Sequence, residues 1–402
     1  MRVCIINNIY PPFDRGGAEQ VVVKTVEGLH AAGHEVCVIT TCPKGEYTEN
    51  IEGVQIYRKK PVNIFFYTQA HNHSFFLRFF WHCVDMFNVG MVFWVWKIIQ
   101  KEKPDVVHTH NIMGVSFLVP MLLRKMGIRH IHTVHDVQLV EPSAMILKTQ
   151  ENSWRYNGFP TKIYTTIITW LMGSPAVVIS PSRFLRTFYS SRGFFQKSKM
   201  VVLRNPATFS LQKTEKGESV PHVFRFLYVG QIEEHKGVLL LTQAFQLVKQ
   251  LCNIPCELHI VGSGSVLNRL KEENEKTGII FHGRVDRNAL STLYKEMDVC
   301  VVPSLCYENS PTVIFESFAF GLPVIASNTE GVVELINEGK NGLVFETGNA
   351  EALAKHMAWC LTHVAEVQEM GKQTHTAVTS LSVEEYGKTL LSYYKSSAES
   401  AK

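Results

Sequence analysis

The sequence predicts an α/β protein made of two Rossmann-like, doubly wound domains separated by a crevice. Short apolar runs alternate with segments of helical periodicity along the 402 residues, which is typical of parallel sheets flanked by helices. The alternation starts again after a polar stretch at residues 208–221, which indicates a linker or an exposed connection between two halves. We therefore predict one domain at residues 1–205 and a second at residues 206–382.

The strands are predicted in order along each half, as short runs bounded by turn residues. In the first half they fall at residues 2–7, 35–40, 54–57, 106–109, 129–134 and 176–179. In the second half they fall at residues 225–229, 257–261, 279–281, 299–302, 324–326 and 343–345. Helical periodicity is strongest at residues 19–32, 312–320 and 383–394.

The composition excludes several classes of function. The net charge of +4 comes from 40 basic and 36 acidic residues, an excess too small and too scattered to indicate nucleic-acid binding. The nine cysteines have irregular spacings that complete no zinc site, which favours reduced thiols and a cytoplasmic protein. A strand is predicted from residue 2 onward, and this leaves no room for a signal peptide.

Residues 79–99 are the only candidate for a membrane span, but they contain His82, Asp85 and Lys97. We predict instead a single helix of the first domain with an unusually apolar face. Basic residues at positions 58–60 and 78 accompany many aromatic residues between positions 65 and 81, a combination that favours an anionic membrane surface. A core helix with its preceding loop and peripheral membrane contact are both compatible with this pattern.

Two glutamates, Glu308 and Glu316, lie on either side of a predicted strand-to-helix junction. Ligands of open α/β sheets bind at the carboxyl ends of strands, and a helix N-terminus there can hold a phosphate. Carboxylates at this place can bind sugar hydroxyls. The alternative interpretation is a solvated loop glutamate and a helix-surface glutamate.

Two further loops follow predicted strands. Gly16 and Gly17 precede the first helix, where they let the backbone approach a ligand closely, although a plain strand-to-helix turn is equally compatible. The pattern is not Gly-x-Gly-x-x-Gly, which disfavours a nicotinamide enzyme. Lys236, before Gly237, can neutralise a diphosphate leaving group, unless it is an ordinary surface lysine.

A dense set of histidines occurs in the first half: His108, His110, His130, His132 and His135. We predict that His108 and His110 point to opposite faces of the sheet. Nothing in the spacing requires several ligands to converge, so no metal site is predicted.

The Glu308-to-Glu316 segment, followed by Gly-Leu-Pro-Val-Ile at residues 321–325, resembles the retaining glycosyltransferases of family 4 (glycosyl transferases group 1). The resemblance runs from the first strand to near the C-terminus. It implies the GT-B fold, with an acceptor-side first domain and a nucleotide-sugar-binding second domain. In this family the last helix, here at about residues 383–402, commonly crosses back to the first domain.

The resemblance also implies roles for individual residues. Lys236 would stabilise the departing diphosphate, Glu308 would hold hydroxyls of the transferred sugar, and Glu316 would hold the ribose. His135 and the Gly16-Gly17 loop would line the sugar and acceptor side. The remaining donor-binding candidates are base-side or loop residues: Arg284, Val285, Asn309, Ser310 and Thr312. The co-substrate would be a nucleoside-diphosphate sugar, with no other cofactor and no metal.

Two positions depart from the family pattern. Gln231 stands where an arginine is usual, with Arg204 as a candidate substitute, and Asn309-Ser310-Pro311 replaces Gly-Phe-Gly. Pro311 fixes its φ angle and removes one N–H donor. Two alternatives to a transferase therefore stay open, a nucleotide-sugar epimerase or hydrolase on the same fold and a non-catalytic binding protein. The basic, aromatic stretch points to a lipid-linked or cell-surface glycan acceptor at the inner face of the membrane.

Overall fold

The computed structural model describes residues 1–13, 16–212, 223–274, 277–379 and 381–395. The chain forms two compact units, each built on a parallel sheet, which confirms the predicted fold class. The first unit comprises residues 1–145, 152–206 and the C-terminal segment from residue 383, and the second comprises residues 146–151 and 207–382. Of the predicted linker, residues 213–221 lie outside the described residues.

The first unit contains an eight-stranded sheet in the order β3-β4-β2-β1-β5-β6-β7-β8. The strands are β1 Arg2–Ile6, β2 Glu35–Thr41, β3 Glu46–Ile51, β4 Val54–Lys59, β5 Val106–Thr109, β6 Arg129–Thr133, β7 Val177–Ser180 and β8 Lys199–Val202. All neighbours are parallel except β3 and β4, which form a hairpin through Glu52 and Gly53. Both turn residues have positive φ angles, 51° and 88°, as a two-residue hairpin requires.

The described residues of this unit that come before residue 206 form α-helices α1 to α7. They are α1 Gly17–Ala31, α2 Phe75–Met86, α3 Val89–Glu102, α4 Val119–Lys125, α5 Trp154–Asn157, α6 Phe159–Met172 and α7 Arg183–Ser190. The single helix predicted at residues 79–99 is wrong, because the chain breaks after Met86. The Asn88 side chain accepts a hydrogen bond from the Met91 N–H at 3.1 Å and thereby caps a new helix. Within the described residues, no helix combines the length and the apolar character needed to cross a membrane.

The second unit contains a six-stranded, all-parallel sheet in the order β11-β10-β9-β12-β13-β14. The strands are β9 Phe224–Val229, β10 Cys256–Val261, β11 Ile279–Gly283, β12 Val299–Val302, β13 Val324–Ser327 and β14 Gly342–Phe345. Successive strand residues enter different hydrophobic clusters, as Phe226 and Leu227 of β9 show. Both faces of the sheet are therefore buried, which explains why these strands read as continuous apolar runs.

The remaining helices are α8 Val238–Leu251, α9 Leu267–Glu273, α10 Arg287–Glu296, α11 Thr312–Ala319, α12 Ala350–Thr362, α13 Val364–Thr379 and α14 Val383–Lys395. Helix α14 belongs to the first unit, where Tyr386, Leu390 and Tyr394 enter the same cluster as Val22 and Val26 of α1. Burial of these rings accounts for the helical spacing seen in the sequence.

The basic residues predicted beside the aromatic stretch do not all reach solvent. Arg58 is fully buried, and its guanidinium donates to Glu49 Oε1 at 2.5 Å and to the Tyr10 carbonyl at 3.0 Å. Lys59 pairs with Glu46 at 2.6 Å. Both glutamates come from the unpredicted strand β3, so the hairpin pairs part of the predicted basic surface with acidic residues.

Candidate active site

The second unit has a topological switch point between β9 and β12. From β9 the chain proceeds to β10 and β11 on one side, and from β12 it proceeds to β13 and β14 on the other. Loops that leave the carboxyl ends of β9 and β12 therefore diverge and leave room for a ligand. Lys236 follows β9 and Glu308 follows β12, and the structure brings them together with Nζ 2.6 Å from Oε1.

The same Glu308 oxygen accepts a second hydrogen bond, from Ser304 Oγ at 2.7 Å. Burial opposes the charge on Lys236, but the adjacent Glu308 carboxylate outweighs this effect and raises the pKa of Lys236 above its ordinary value. Lys236 is therefore a cation at neutral pH. In this structure the Lys236 ammonium group faces the Glu308 carboxylate.

The loops that carry this pair are interlocked through their backbones. The Leu305 N–H donates to the carbonyl of His235 at 2.9 Å. Gly237 has a φ angle of +74°, and a Cβ at this position would lie 1.8 Å from the Pro303 carbonyl oxygen. Only glycine fits here, because the chain must pass directly over the end of β12.

Gly331, in the loop after β13, supports the Glu308 loop from behind and was not singled out in the sequence. Its φ angle is +79°, and a Cβ there would lie 2.3 Å from the Glu308 carbonyl oxygen and 2.6 Å from that of Asn309. A glycine shortly after a predicted strand was the available signal. The close approach of the two loops was not readable from the sequence.

Replacing Gly331 by alanine is expected to displace the Glu308 loop. We expect the free energy of unfolding to fall by about 1–3 kcal/mol. The affinity for the nucleotide sugar is expected to fall by a proportionally larger amount than the stability. Gly339→Ala is the matched control, since Gly339 has a φ of +73° with nothing within 4 Å of its added Cβ. Equal affinities in the two variants, measured by isothermal calorimetry, would contradict the supporting role.

Glu316 lies in the first turns of α11, and it is buried, with 7% of its surface exposed. One carboxylate oxygen accepts from Thr208 Oγ1 at 2.6 Å and the other from the Tyr294 hydroxyl at 3.1 Å. Arg287 Nη1 is 4.0 Å from Oε1. The carboxylate therefore fastens the start of the second unit to α10 and α11. Each oxygen has a second lone pair with which it can accept from a ligand hydroxyl.

The other second-unit candidates lie on neighbouring loops. Asn309 and Ser310 are buried beside Glu308, and Thr312 is the first residue of α11. Pro311 occupies the N-cap position with a φ of −66°, which a proline adopts without strain. Arg284 is exposed on the loop after β11. Two more positions complete the set: Val285 packs against the hydrophobic core, and the Gln231 carbonyl accepts from the Tyr228 hydroxyl at 2.6 Å.

A short segment from the middle of the first-half sequence, Ile146–Glu151, belongs to the second unit. The Tyr307 N–H donates to the Ile146 carbonyl, and the Lys148 N–H donates to the Leu305 carbonyl, both at 2.9 Å. The Tyr307 hydroxyl donates to Glu151 Oε2 at 2.5 Å, and Lys148 contacts Glu330. The segment thus braces the loops of Glu308 and Gly331, which sequence reasoning missed.

In the first unit the switch point lies between β1 and β5. The loops after these strands are joined through Asn7 and Asn111, because the Asn111 N–H donates to Asn7 Oδ1 at 3.1 Å. Gly16 caps α1 with an extended backbone, and its N–H donates to Glu19 Oε2 at 2.9 Å. Gly17 is the first residue of the helix. The Glu19 carboxylate therefore lies at the N-terminus of α1.

The histidines of this unit form hydrogen-bonded pairs with each other and with hydroxyls. His108 contacts the Tyr394 hydroxyl through Nδ1 and Thr133 Oγ1 through Nε2, both at 2.7 Å. The prediction that His108 and His110 point to opposite faces is wrong, since their ring centroids are 4.2 Å apart. Residues two apart along a strand direction share a face.

His135 follows β6, and its Nε2 lies 2.8 Å from Nδ1 of His110. Burial lowers the pKa of His135 to about 4, so its imidazole is neutral at pH 7 and acts as a hydrogen-bond partner. The neighbouring Asp136, which lines the same small recess, was not singled out in the sequence. Burial raises the pKa of its carboxyl to about 6. No group of histidine, cysteine, aspartate or glutamate in the described part of the chain has the arrangement of a metal site.

Known protein families match both halves of this arrangement. The family Glycosyltransferase Family 4 matches residues 15–208, and Glycosyl transferases group 1 matches residues 212–376. The chain therefore belongs to the family 4, group 1 glycosyltransferases, and its two sheets are those of the GT-B fold.

Individual relatives agree with this assignment. An uncharacterized glycosyltransferase of Methanocaldococcus jannaschii is 25% identical over 88% of this chain and 87% of its own length. The Escherichia coli UDP-Gal:alpha-D-GlcNAc-diphosphoundecaprenol alpha-1,3-galactosyltransferase is 26% identical over 64% of this chain and 66% of its own. Among solved structures, sucrose-phosphate synthase of Thermosynechococcus elongatus superposes with a TM-score of 0.77 at 20% identity, with both chains fully covered.

Proposed function

We propose that this glycosyltransferase moves a hexosyl group, with retention of configuration, from a nucleoside-diphosphate sugar to a lipid-linked or cell-surface glycan precursor. The observation that carries the proposal is the Lys236–Glu308 pair at the switch point of the second unit. A half-buried cation beside a carboxylate offers one group for a diphosphate and one for sugar hydroxyls. The E. coli relative is named for a diphosphoundecaprenol acceptor, which supports the lipid-linked class.

Lys236 would neutralise the charge that develops on the diphosphate as the bond to the sugar breaks. Two hydrogen-bond donors, Lys236 and Ser304, already contact Glu308 Oε1, which lowers its nucleophilicity and favours a binding role. We propose that Glu308 Oε2 accepts from sugar hydroxyls. The acceptor oxygen would then attack on the face that the diphosphate leaves, and a phosphate oxygen would take the acceptor proton.

The other candidates would bind the donor or shape its surroundings. Arg284 and Val285 would lie on the base side, and Glu316 would accept from the ribose hydroxyls. The loop of Asn309 and Ser310, with Thr312 at the start of α11, would offer backbone N–H groups to the diphosphate. In the first unit, neutral His135 and the Gly16-Gly17 turn would contact the transferred sugar or the acceptor. No metal and no further cofactor takes part in this proposal.

Thermal unfolding with a panel of nucleotides and nucleotide sugars tests the donor site. A ligand at about 100 times its Kd adds roughly 2.7 kcal/mol to the free energy of unfolding, which is an easily measured shift. We expect stabilisation by UDP or GDP compounds and none by NAD, the control ligand. No shift with any nucleotide would contradict the donor-site assignment.

Product analysis separates transfer from its alternatives. A transferase leaves the donor largely intact until an acceptor, such as a polyprenyl-diphosphate sugar, is added. An epimerase or hydrolase converts the donor alone. Donor binding without turnover over a broad acceptor panel would indicate a binding protein, for which the Gln231 and Asn309–Pro311 departures would provide the reason.

We further propose a cytoplasmic protein that works at the inner face of the membrane.

A further inference from the structure

Helices α2 and α3 of the first unit expose a row of large apolar side chains, here called the aromatic face. Its members are Phe76, Phe79, Phe80, Val84, Phe87, Val89, Phe93 and Trp96. Their exposed fractions run from 37% for Trp96 to 74% for Phe76. Soluble monomeric proteins seldom leave so many adjacent aromatic residues in water, so this surface calls for a partner.

The aromatic face follows helical spacing. Phe76, Phe80 and Val84 recur every four residues along α2, and Phe87 follows its end. Val89, Phe93 and Trp96 recur every three or four residues along α3. The opposite side of α3 is buried through Met91, Val95 and Ile98. Because α3 already buries one apolar side in the core, its second apolar side serves no purpose in folding.

The exposed charges of α2 and α3 are positive, although the exposed Glu46 of β3, which pairs with Lys59, lies close to Lys97. Lys97 and Lys101 are exposed along one edge of the α3 stripe, and Lys97 Nζ lies 4.6 Å from the centre of the Phe93 ring. Neither of the two acids of these helices is fully exposed. Asp85 is 1% exposed, and half-buried Glu102 accepts from the Tyr57 hydroxyl at 2.5 Å.

The neighbouring helices α4 and α6 also carry basic residues and no acidic ones. Helix α4 packs beside α3, and α6 packs beside α4, where Arg124 of α4 donates to the Leu171 carbonyl at 2.9 Å. Helix α6 exposes Phe159, Ile163 and Trp170 together with Lys162, and neither α4 nor α6 contains an acidic residue.

We propose that the aromatic face docks this enzyme on an anionic lipid bilayer, with the phenylalanine and tryptophan rings at the depth of the lipid headgroups. Aromatic residues favour the membrane–water interface, and lysines along one edge of an amphipathic helix attract acidic headgroups. A protein partner fits less well, because lysine is depleted in protein–protein interfaces. The inference deepens the proposed location at the membrane, and its test requires no turnover.

The first test is co-sedimentation of the purified full chain with lipid vesicles. We expect the chain to bind phosphatidylcholine vesicles that contain roughly 30% phosphatidylglycerol at least about tenfold more tightly than pure phosphatidylcholine vesicles. High salt is expected to weaken this binding. The triple variant Phe76→Ser/Phe79→Ser/Phe80→Ser is expected to lose about tenfold in partitioning. The matched control replaces three exposed apolar residues of the second unit, as Leu251→Ser/Val333→Ser/Val364→Ser, and is expected to bind like the unchanged chain.

A native thiol reports whether the aromatic face is the side of the protein that contacts the vesicle. Cys83 is exposed and lies on the α2 stripe, four residues after Phe79, whereas the half-exposed Cys252 belongs to the second unit and serves as an internal reference. Anionic vesicles are expected to slow the reaction of Cys83 with a water-soluble maleimide and to leave Cys252 unchanged. The two labelled peptides are separated by mass spectrometry after digestion.

Three results would overturn the inference: no binding to anionic vesicles, full binding by the triple phenylalanine variant, or equal protection of both thiols. A dimer seen by analytical ultracentrifugation and dissolved by that variant would assign the face to a second copy of the chain. Nucleotide-sugar binding without vesicle binding would overturn this inference and leave the proposed function intact. Vesicle binding without nucleotide-sugar binding would support this inference and contradict the donor-site assignment.

Discussion

Replacing Lys236 by methionine is expected to lower turnover about 10²- to 10³-fold, which corresponds to roughly 3–4 kcal/mol of lost transition-state stabilisation. The ammonium group is charged and held 2.6 Å from Glu308, so its removal takes away a fixed positive charge where the diphosphate would depart. Gln231, on the same loop, is neutral and supplies no compensating charge. Initial rates with a nucleotide sugar and an acceptor extract measure the effect.

The structure also separates a chemical role from a structural one. Lys236→Met leaves the Glu308 carboxylate without its ion pair, and we expect a loss of about 1–3 kcal/mol in the free energy of unfolding. The double variant Lys236→Met/Glu308→Gln removes both charges and is expected to regain most of this stability without regaining turnover. Lys355→Ala, at an exposed lysine of α12, is the control for a simple change in net charge. Turnover of Lys236→Met within about threefold of the unchanged chain would contradict its role in catalysis.

The sequence predicts the second unit more completely than the first. Its inner parallel strands, such as β12 and β13, are buried on both faces, so they appear as apolar runs between turn residues. Strand β3 has the sequence Glu-Tyr-Thr-Glu-Asn-Ile, lies at a sheet edge and is largely exposed, so it carries no such signal. The break between α2 and α3 depends on a single capping residue, Asn88, inside a continuous apolar pattern.

Within the candidate site, the sequence indicates which loops matter but not how their side chains are engaged. Lys236 and Glu308 follow separate strands, and their ion pair depends on β9 and β12 being neighbours in the sheet. The two hydroxyls that contact Glu316 come from Thr208 and Tyr294, on segments distant in the sequence. Such contacts depend on tertiary packing, which local patterns do not encode.

The histidine cluster of the first unit shows a further consequence of tertiary packing. Five imidazoles that look like scattered polar residues in the sequence are buried together. Burial lowers the pKa of every one of them below its ordinary value of 6.5: His108, His110, His130, His132 and His135. Their charge state makes the stability of this unit depend on pH.

The first unit is expected to lose stability steeply as the pH falls below about 6.5. In the unfolded chain these histidines bind protons near pH 6.5, whereas in the folded unit they stay neutral, with His132 titrating at about 3 and His135 at about 4. The unfolded state thus binds more protons, and acid favours unfolding. Two buried carboxyls oppose the trend, because burial raises the pKa of Asp85 to about 8 and that of Asp136 to about 6.

Burial also lowers the pKa of His82 to about 4. With His82 and the opposing carboxyls included, we expect a net uptake of about four protons on unfolding near pH 5, or roughly 5 kcal/mol per pH unit. Urea unfolding between pH 7.5 and about 5, followed by tryptophan fluorescence, measures this slope. Five of the six tryptophans belong to the first unit, so the Trp359→Phe background restricts the signal to it.

His108→Gln isolates the contribution of one buried imidazole. Glutamine can hydrogen-bond but does not titrate, so the slope is expected to fall by about one proton, or roughly 1.4 kcal/mol per pH unit, whatever the change in absolute stability. His30→Gln, at an exposed position near the end of α1, is expected to leave the slope unchanged. A slope that is the same in both variants would show that His108 takes up no extra proton on unfolding, and would remove the physical link between the buried cluster and acid sensitivity.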